Sequence, residues 1–106
     1  MAVTPIQIID PDFVPGTKQT VFVSFAIKTR IDYMAFTNVS AANVTLSIWL
    51  GPAGASQRIK DKTILPGECY LCPEVIGALL NPGQVVQWLA STASALYGSA
   101  NGVQFT

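Results

Sequence analysis

Apolar and polar side chains alternate between Val44 and Leu50, which is the two-residue period of a β-strand that buries one face. A similar alternation runs from Tyr33 to Asn38, and small or polar residues fill positions 38–43 between the two runs. The stretch 31–51 therefore predicts two strands joined by a short polar corner. It contains no obvious reactive centre, so the pattern indicates scaffold and not an active site.

Further short segments have strand-like patterns. Segment 20–28 is rich in β-branched and aromatic residues. Its residues predicted to share one face are Val21, Val23, Phe25 and Ile27. Strands are also predicted in 57–65, 84–90, 95–98 and 103–106. Asn101-Gly102, between Tyr97 and Phe105, is the sequence's strongest hairpin signal.

One segment follows a helical pattern instead. Pro73 suits a first helical position, and Glu74 follows it as an acid in the first turn. The apolar residues spaced for one helical face are Val75, Ile76, Leu79 and Leu80. The expected fold is therefore all-β, a single β-sandwich or jelly roll of about seven or eight short strands with one short helix near residues 73–80.

The N-terminal segment is interrupted by Pro5, Pro11 and Pro15, which disfavour a central strand because proline cannot donate a ladder hydrogen bond. We predict a proline-rich N-terminal arm or edge strand over residues 1–17 and a β-sandwich domain over residues 18–106. The arm is too apolar for a free tail. We expect Ile6, Ile8 and Phe13 to dock on a neighbouring subunit.

The amino-acid composition predicts a surface with few charged side chains. The 106 residues fit one domain, and half of them are hydrophobic while only 11% are charged, against about 25% in ordinary soluble domains. Such a surface favours association, so we expect a homo-oligomer, with a trimer as the first expectation. Six basic and six acidic residues cancel, which argues against a nucleic-acid partner. No apolar stretch is long enough for a membrane span, and no secretory signal is visible, so synthesis in the cytoplasm is expected.

Catalytic chemistry has little support. The sequence contains no histidine, which removes the commonest general base and metal ligand, and no spacing brings two carboxylates into one predicted pocket. Cys69 and Cys72 have the spacing of redox and zinc motifs, but a mostly β chain lacks the helix of a redox site and offers no further cysteine or histidine for zinc. We interpret both as packing residues. No catalytic, cofactor-binding or metal-binding residue is predicted, and the protein is not expected to be an enzyme.

A basic cluster, Arg58, Lys60 and Lys62, alternates with Ile59 and Asp61, which would place three cations on one strand face. A solvated edge that blocks unwanted strand pairing is one interpretation, and a contact with an acidic partner surface is the other. We include the three cations with Ile6, Ile8 and Phe13 as predicted assembly contacts.

Several motifs in residues 31–90 resemble those of small virion proteins of tailed bacteriophages. They are, in order, Phe36-Thr37-Asn38, the run Val44 to Leu50 with Pro52 and Gly54, Ile64-Leu65-Pro66-Gly67, and the run Tyr70 to Gly77. The resemblance implies a compact β-sandwich that coats or completes the particle by assembly. It implies partners such as the major capsid protein and a location in the virion, most simply as a capsid decoration protein. A neck, tail or fibre component fits the same motifs.

A carbohydrate-binding or adhesion module is a further alternative, because it would also be an all-β sandwich. The aromatic residues that could form a sugar-stacking platform are Tyr33, Trp49, Tyr70, Trp88 and Tyr97. Packing in the core and at interfaces is the competing interpretation of the same residues.

Overall fold

Two antiparallel sheets pack face to face in the computed structural model, which describes residues 3–25 and 28–105. The nine strands of the described residues are β1 (Val3–Phe13), β2 (Gln19–Val23), β3 (Lys28–Asn38), β4 (Val44–Gly51), β5 (Ser56–Ile64), β6 (Cys69–Tyr70), β7 (Leu79–Leu80), β8 (Val85–Ala90) and β9 (Leu96–Phe105). One 3-10 helix, Pro52–Gly54, follows β4. The expected all-β sandwich is confirmed.

The first sheet, called sheet A here, has the order β1-β9-β3-β6, with β7 also paired to β3. The second, sheet B, has the order β2-β8-β4-β5. The polar corner at 38–43 therefore carries the chain from sheet A to sheet B. Asn38 organises that corner, because its amide donates to the carbonyls of Ala42 and Ile64 while its oxygen accepts from Ser40.

The core lies between the sheets and is built from alternate residues of the long strands. Phe36 of sheet A meets Trp88 of sheet B edge to face, with ring centroids 5.4 Å apart. Their side chains are almost fully buried, so this pair joins the two sheets at the centre of the core. Other large residues with less than 2% exposure are Ile31, Met34, Leu46, Ile48, Ile64, Leu80 and Leu96.

The first strand lies at the edge of sheet A, paired only with β9 among the described strands. Ile8 and Ile9 each have 5% exposure and pack in the core, and Val14 just after the strand is fully buried. Two register shifts flank Ile9, so the edge is irregular. Residues 1 and 2 of the predicted arm lie outside the described residues.

The short helix predicted near residues 73–80 does not form. Residues 73–77 are turns, and Leu79–Leu80 are strand β7. An eight-residue helix is marginal by itself, and Gly77 has a φ of +83°, outside the helical region. Instead, the Gly77 amide donates to the Ile31 carbonyl and the Ile31 amide donates to the Ala78 carbonyl, which ties the segment to β3.

Two strand predictions also need correction. Asn101-Gly102 is not a hairpin turn, because β9 runs without a break from Leu96 to Phe105. Strand β2 ends at Val23, so Phe25, predicted to share one strand face with Val21 and Val23, lies beyond the strand and has 86% exposure. A register shift between Thr20 and Phe22 breaks the alternation on which that prediction depended. Ile27, the last residue of that predicted face, lies outside the described residues.

Candidate interaction surfaces

The outer face of sheet A carries a row of hydrogen-bonding side chains across three strands. The strand register places Asn101 of β9 between Gln7 of β1 and Tyr33 of β3, and all three side chains are exposed. They line an open crevice of about 610 Å³, whose other walls include Pro5, Asp32 and Val103. This crevice therefore combines two amides and a carboxylate with one aromatic ring.

An aromatic ridge lies on the same face, nearer the other end of the strands. Phe13 and Tyr97 are register partners with ring centroids 5.0 Å apart and an interplanar angle of 73°. Both remain exposed, at 42% each, despite this contact. Four residues separate Tyr97 from Asn101 along β9, which corresponds to about 13 Å. The ridge and the crevice are therefore separate features of one surface.

One ion pair also lies on this face. Arg30 Nε donates to Asp32 Oδ1 at 2.6 Å, and this contact raises the pKa of the Arg30 guanidinium through the hydrogen bond and the charge of the carboxylate. Both side chains are exposed, so the pair contributes little to stability. It does leave the crevice end of the face electrically balanced.

The outer face of sheet B is covered by other parts of the chain. The Lys18 ammonium lies 4.4 Å from the centroid of the Trp49 ring. Within the sheet, the Gln87 amide donates to Oγ1 of Thr20, its register partner on β2, at 2.8 Å. Gly54 of the 3-10 helix lies so close to Gln87 that a Cβ atom there would overlap the amide. The central strands β4 and β8 consequently have no fully exposed residue.

A second cavity, of about 290 Å³, opens on the side of the sandwich where β1 and β2 meet. Asp10 and Asp12 line it together with Trp88, whose buried Nε1 has no hydrogen-bond partner among the described residues. No group of three or more His, Cys, Asp or Glu side chains in residues 3–25 and 28–105 could hold a metal ion. None of the helices described there is long and apolar enough to cross a membrane.

The basic residues of β5 do not share one strand face as the alternation suggested. A register shift interrupts the pairing of β5 with β4, and Asp61 has a φ of +48° at that point. Ser47 holds this irregularity by accepting a hydrogen bond from the Asp61 amide at 3.0 Å. Lys62 is the register partner of the buried Leu46, although its own side chain is exposed like those of Arg58 and Lys60.

Lys62 contacts the other sheet. Its ammonium lies 5.1 Å from the centroid of the Tyr70 ring, and the Tyr70 hydroxyl donates to Glu74. Burial, followed by the hydrogen bond to Glu74, raises the pKa of Tyr70. This cluster closes the side of the sandwich formed by β5 and β6.

The two cysteines have different environments. Cys69 is an exposed free thiol, whereas Cys72 is a fully buried free thiol in the core cluster. Burial, with smaller contributions from the charges of Glu74 and Cys69, raises the pKa of Cys72 to about 12. The Cys72 side chain is therefore a neutral packing group at ordinary pH.

The predicted assembly contacts lie in three different places. Phe13 belongs to the aromatic ridge of sheet A, whereas Ile6 lines the crevice on that face but is partly buried against the core. Ile8 packs in the core of its own chain. The basic residues Arg58, Lys60 and Lys62 are all on β5 of sheet B. Sequence reasoning missed the row of Gln7, Asn101 and Tyr33, because only the strand register brings these residues together.

The proposed sugar platform is also divided by the structure. Trp88 is buried at 2% exposure, and Trp49 lies beneath Lys18 on sheet B. Tyr70 is half-buried beside Glu74. Tyr33 and Tyr97 alone of these five aromatic residues share the outer face of sheet A, where each is more than 40% exposed.

No protein-family model matches the sequence, and no curated protein matches it. Similar solved structures include that of the infectious bursal disease virus Gx strain, with 14% identity over 96% of this chain and a TM-score of 0.55. The VP2 subviral particle of the same virus matches with 12% identity over 96% of this chain and a TM-score of 0.54. Its T=1 particles match with 10% identity over 96% of this chain and a TM-score of 0.56.

This chain spans 30 to 32% of the length of those three viral chains. At such low identity the similarity shows a common fold. The two-sheet sandwich of this protein therefore also occurs within chains of particles of an animal virus.

Proposed function

We propose that this protein is a non-enzymatic structural component of a virus particle that acts through contacts between subunits. The observation that carries the proposal is the open outer face of sheet A, where Tyr33, Tyr97 and Phe13 are all exposed on a fold also found in virus particles. Exposed aromatic side chains of this kind are typical of protein interfaces. The low content of charged residues favours the same role.

The finer proposal is a capsid decoration protein of a tailed bacteriophage. It follows from the motifs in residues 31–90, and its partners would be the major capsid protein and further copies of this chain. The protein would be made in the host cytoplasm and reside in the virion. Ile6, Ile8, Phe13, Arg58, Lys60 and Lys62 remain proposed contacts, although Ile8 would have to leave the core to reach a partner.

Purified particles provide the test. Antibody-labelled electron microscopy should place the protein over the capsid surface in many copies, whereas label confined to the neck, tail or fibres would favour those alternatives. Absence of the protein from washed particles would contradict a structural role. The mass of the isolated protein distinguishes the trimer first expected from the sequence from a dimer or a monomer.

A carbohydrate-binding module is the second candidate, and the crevice around Tyr33 favours it. An exposed aromatic ring beside two amides and a carboxylate can stack on a sugar ring and hydrogen-bond its hydroxyls. Glycan-array binding that is lost in Tyr33→Ala but kept in Tyr97→Ala would support this function. The two tyrosines have nearly equal exposure, 44% and 42%, so Tyr97 is a matched control.

A further inference from the structure

We propose that the outer face of sheet A is a self-complementary surface on which a second copy of this chain docks with two-fold symmetry. This inference deepens the proposed assembly function by naming the surface and its partner. The face has a projecting feature, the Phe13–Tyr97 ridge, and a recessed feature, the crevice lined by Gln7, Tyr33 and Asn101. A surface with both features can fit a copy of itself.

The geometry of stacked sheets permits this fit. Consider two sheet A faces packed about 10 Å apart, related by a two-fold axis that lies between them and runs across the strands. That rotation reverses the strand direction, so the ridge of each copy meets the crevice of the other. The crevice is open and has a volume of about 610 Å³, so it has room for aromatic side chains.

The size of the face suits a dimer. Three long strands of ten or eleven residues, spaced about 4.8 Å apart, cover roughly 500 Å² in projection, and the two-residue strands β6 and β7 extend this face beside β3. Projecting side chains increase the accessible area, which brings it close to the roughly 800 Å² that each partner contributes to a standard interface. Sheet B does not offer a comparable surface, because Lys18 and the 3-10 helix cover its central strands.

The charges also favour a second copy over a strongly charged partner. Arg30 and Asp32 are paired within the face at 2.6 Å, so they place no net charge at the crevice end, which would meet the partner's aromatic ridge. The exposed cations Arg58 and Lys60 lie on β5 of the other sheet. Lys28, at the start of β3, leaves a single unpaired cation at the end of the described part of this face.

The first experiment measures the mass of the purified full chain by light scattering over a range of micromolar concentrations. We expect a dimer. Tyr97→Ser removes the ridge and Asn101→Arg fills the crevice, and each should weaken self-association by at least about tenfold, as expected for a central aromatic contact and a blocked pocket. Leu65→Ser is the matched control, because Leu65 is 53% exposed in a loop away from this face. It should not change the dimer.

Mixing the two variants tests the reciprocal fit. The Tyr97→Ser chain keeps its crevice and the Asn101→Arg chain keeps its ridge, so a mixed dimer retains one of the two contacts. The mixture should therefore associate more strongly than either variant alone. Melting temperatures close to that of the unmodified protein would show that both variants are folded.

Four results would overturn the inference: a monomeric protein, a trimer, a dimer that neither variant weakens, or a mixture that associates no better than its components. A monomer whose Tyr33 resonances shift on titration with neutral monosaccharides would identify the face as a sugar site instead. A monomer that is nevertheless found in purified particles would reject this surface and leave the proposed function standing.

Discussion

The outer faces of the two sheets differ in whether other segments of the same chain cover them. On sheet B, Trp49 lies beneath Lys18 and Gln87 packs against the 3-10 helix, so the central strands are covered from within the molecule. On sheet A, Tyr33 and Tyr97 are more than 40% exposed and no described segment covers them. Both faces contain aromatic residues, so composition does not separate them. What differs is whether a loop of the same chain folds back over the strands.

This contrast also assigns different roles to the glycines. Gly54 allows a loop to approach the side chain of Gln87 on sheet B, whereas Gly102 allows the backbones of β9 and β3 to approach each other in sheet A. Gly54 therefore allows the 3-10 helix to cover the outer face of sheet B. Gly102 maintains the close spacing of β9 and β3, on which the exposed outer face of sheet A depends.

The largest expected effect comes from Gly102→Ala. The added Cβ would overlap the carbonyl oxygen of Arg30, which is backbone of the adjacent strand and cannot rotate away. The strands must separate, so we expect a loss of about 3 kcal/mol in the free energy of unfolding. Chemical denaturation measures the loss. Gly67→Ala is the control, because a Cβ there meets open space and its φ of +77° costs only about 1 kcal/mol. Equal losses would contradict the close contact in sheet A.

A second expected effect concerns the free energy of unfolding at high pH, through the buried thiol of Cys72 in the core. Burial raises the pKa of Cys72 to about 12, whereas a free thiol titrates near 8.5. Between these values the unfolded chain releases the thiol proton and the folded chain retains it, so stability decreases as the pH rises. The raised pKa of Tyr70 acts in the same direction above its ordinary value near 10.

Unfolding measured from pH 8 to 11 should therefore show falling stability that is shallower in Cys72→Ala. Cys69→Ala is the matched control, because Cys69 is exposed and is only a minor cause of the raised pKa of Cys72, so it should change the slope much less. The residual slope of Cys72→Ala is assigned to Tyr70. An unchanged slope in Cys72→Ala would show that the buried thiol does not govern alkaline stability.

Gly54→Ala should lower the free energy of unfolding by less than Gly102→Ala does. It should also expose the outer face of sheet B, which would then resemble that of sheet A. The new Cβ overlaps the flexible end of Gln87, which can move, while the φ of +68° adds strain. We expect a loss of about 2 kcal/mol, together with greater quenching of Trp49 fluorescence as the cover loosens. Gly51→Ala is a control for strain alone, because its φ is +96° and no atom lies near the added Cβ. Unchanged Trp49 quenching in Gly54→Ala would contradict the covering role of the 3-10 helix.

Local patterns were sufficient for part of this fold. Strand β4 could be predicted because its alternation is uninterrupted and one face is buried from Val44 to Leu50. Residues 73–80 also had a regular apolar spacing, but their hydrogen bonds go to Ile31 on β3 and not within a helix. Asn101-Gly102 matched a turn, yet Gly102 serves a close approach between two paired strands. In both cases a distant strand determined the structure.

The interaction surface depended even more on distant contacts. Gln7, Tyr33 and Asn101 are far apart in the sequence, and only the order β1-β9-β3 places them in one row. The basic residues of β5 formed the clearer sequence pattern. Their common face is lost because Ser47, on the neighbouring strand, stabilises the irregular backbone at Asp61. Alternation alone contains no information about such a partner.

The smallest expected effect tests Lys18, which covers the outer face of sheet B together with the 3-10 helix. Lys18→Ala removes an exposed cation that lies 4.4 Å from the centroid of the Trp49 ring, and such contacts contribute about 0.5 to 1 kcal/mol. Lys60→Ala is matched in charge and exposure, so it controls for the change in net charge. Acrylamide quenching should increase in Lys18→Ala alone, and Trp88, at 2% exposure, adds a nearly constant background. Equal changes in both variants would mean that Lys18 acts through net charge, and sheet B would then be covered by the 3-10 helix without it.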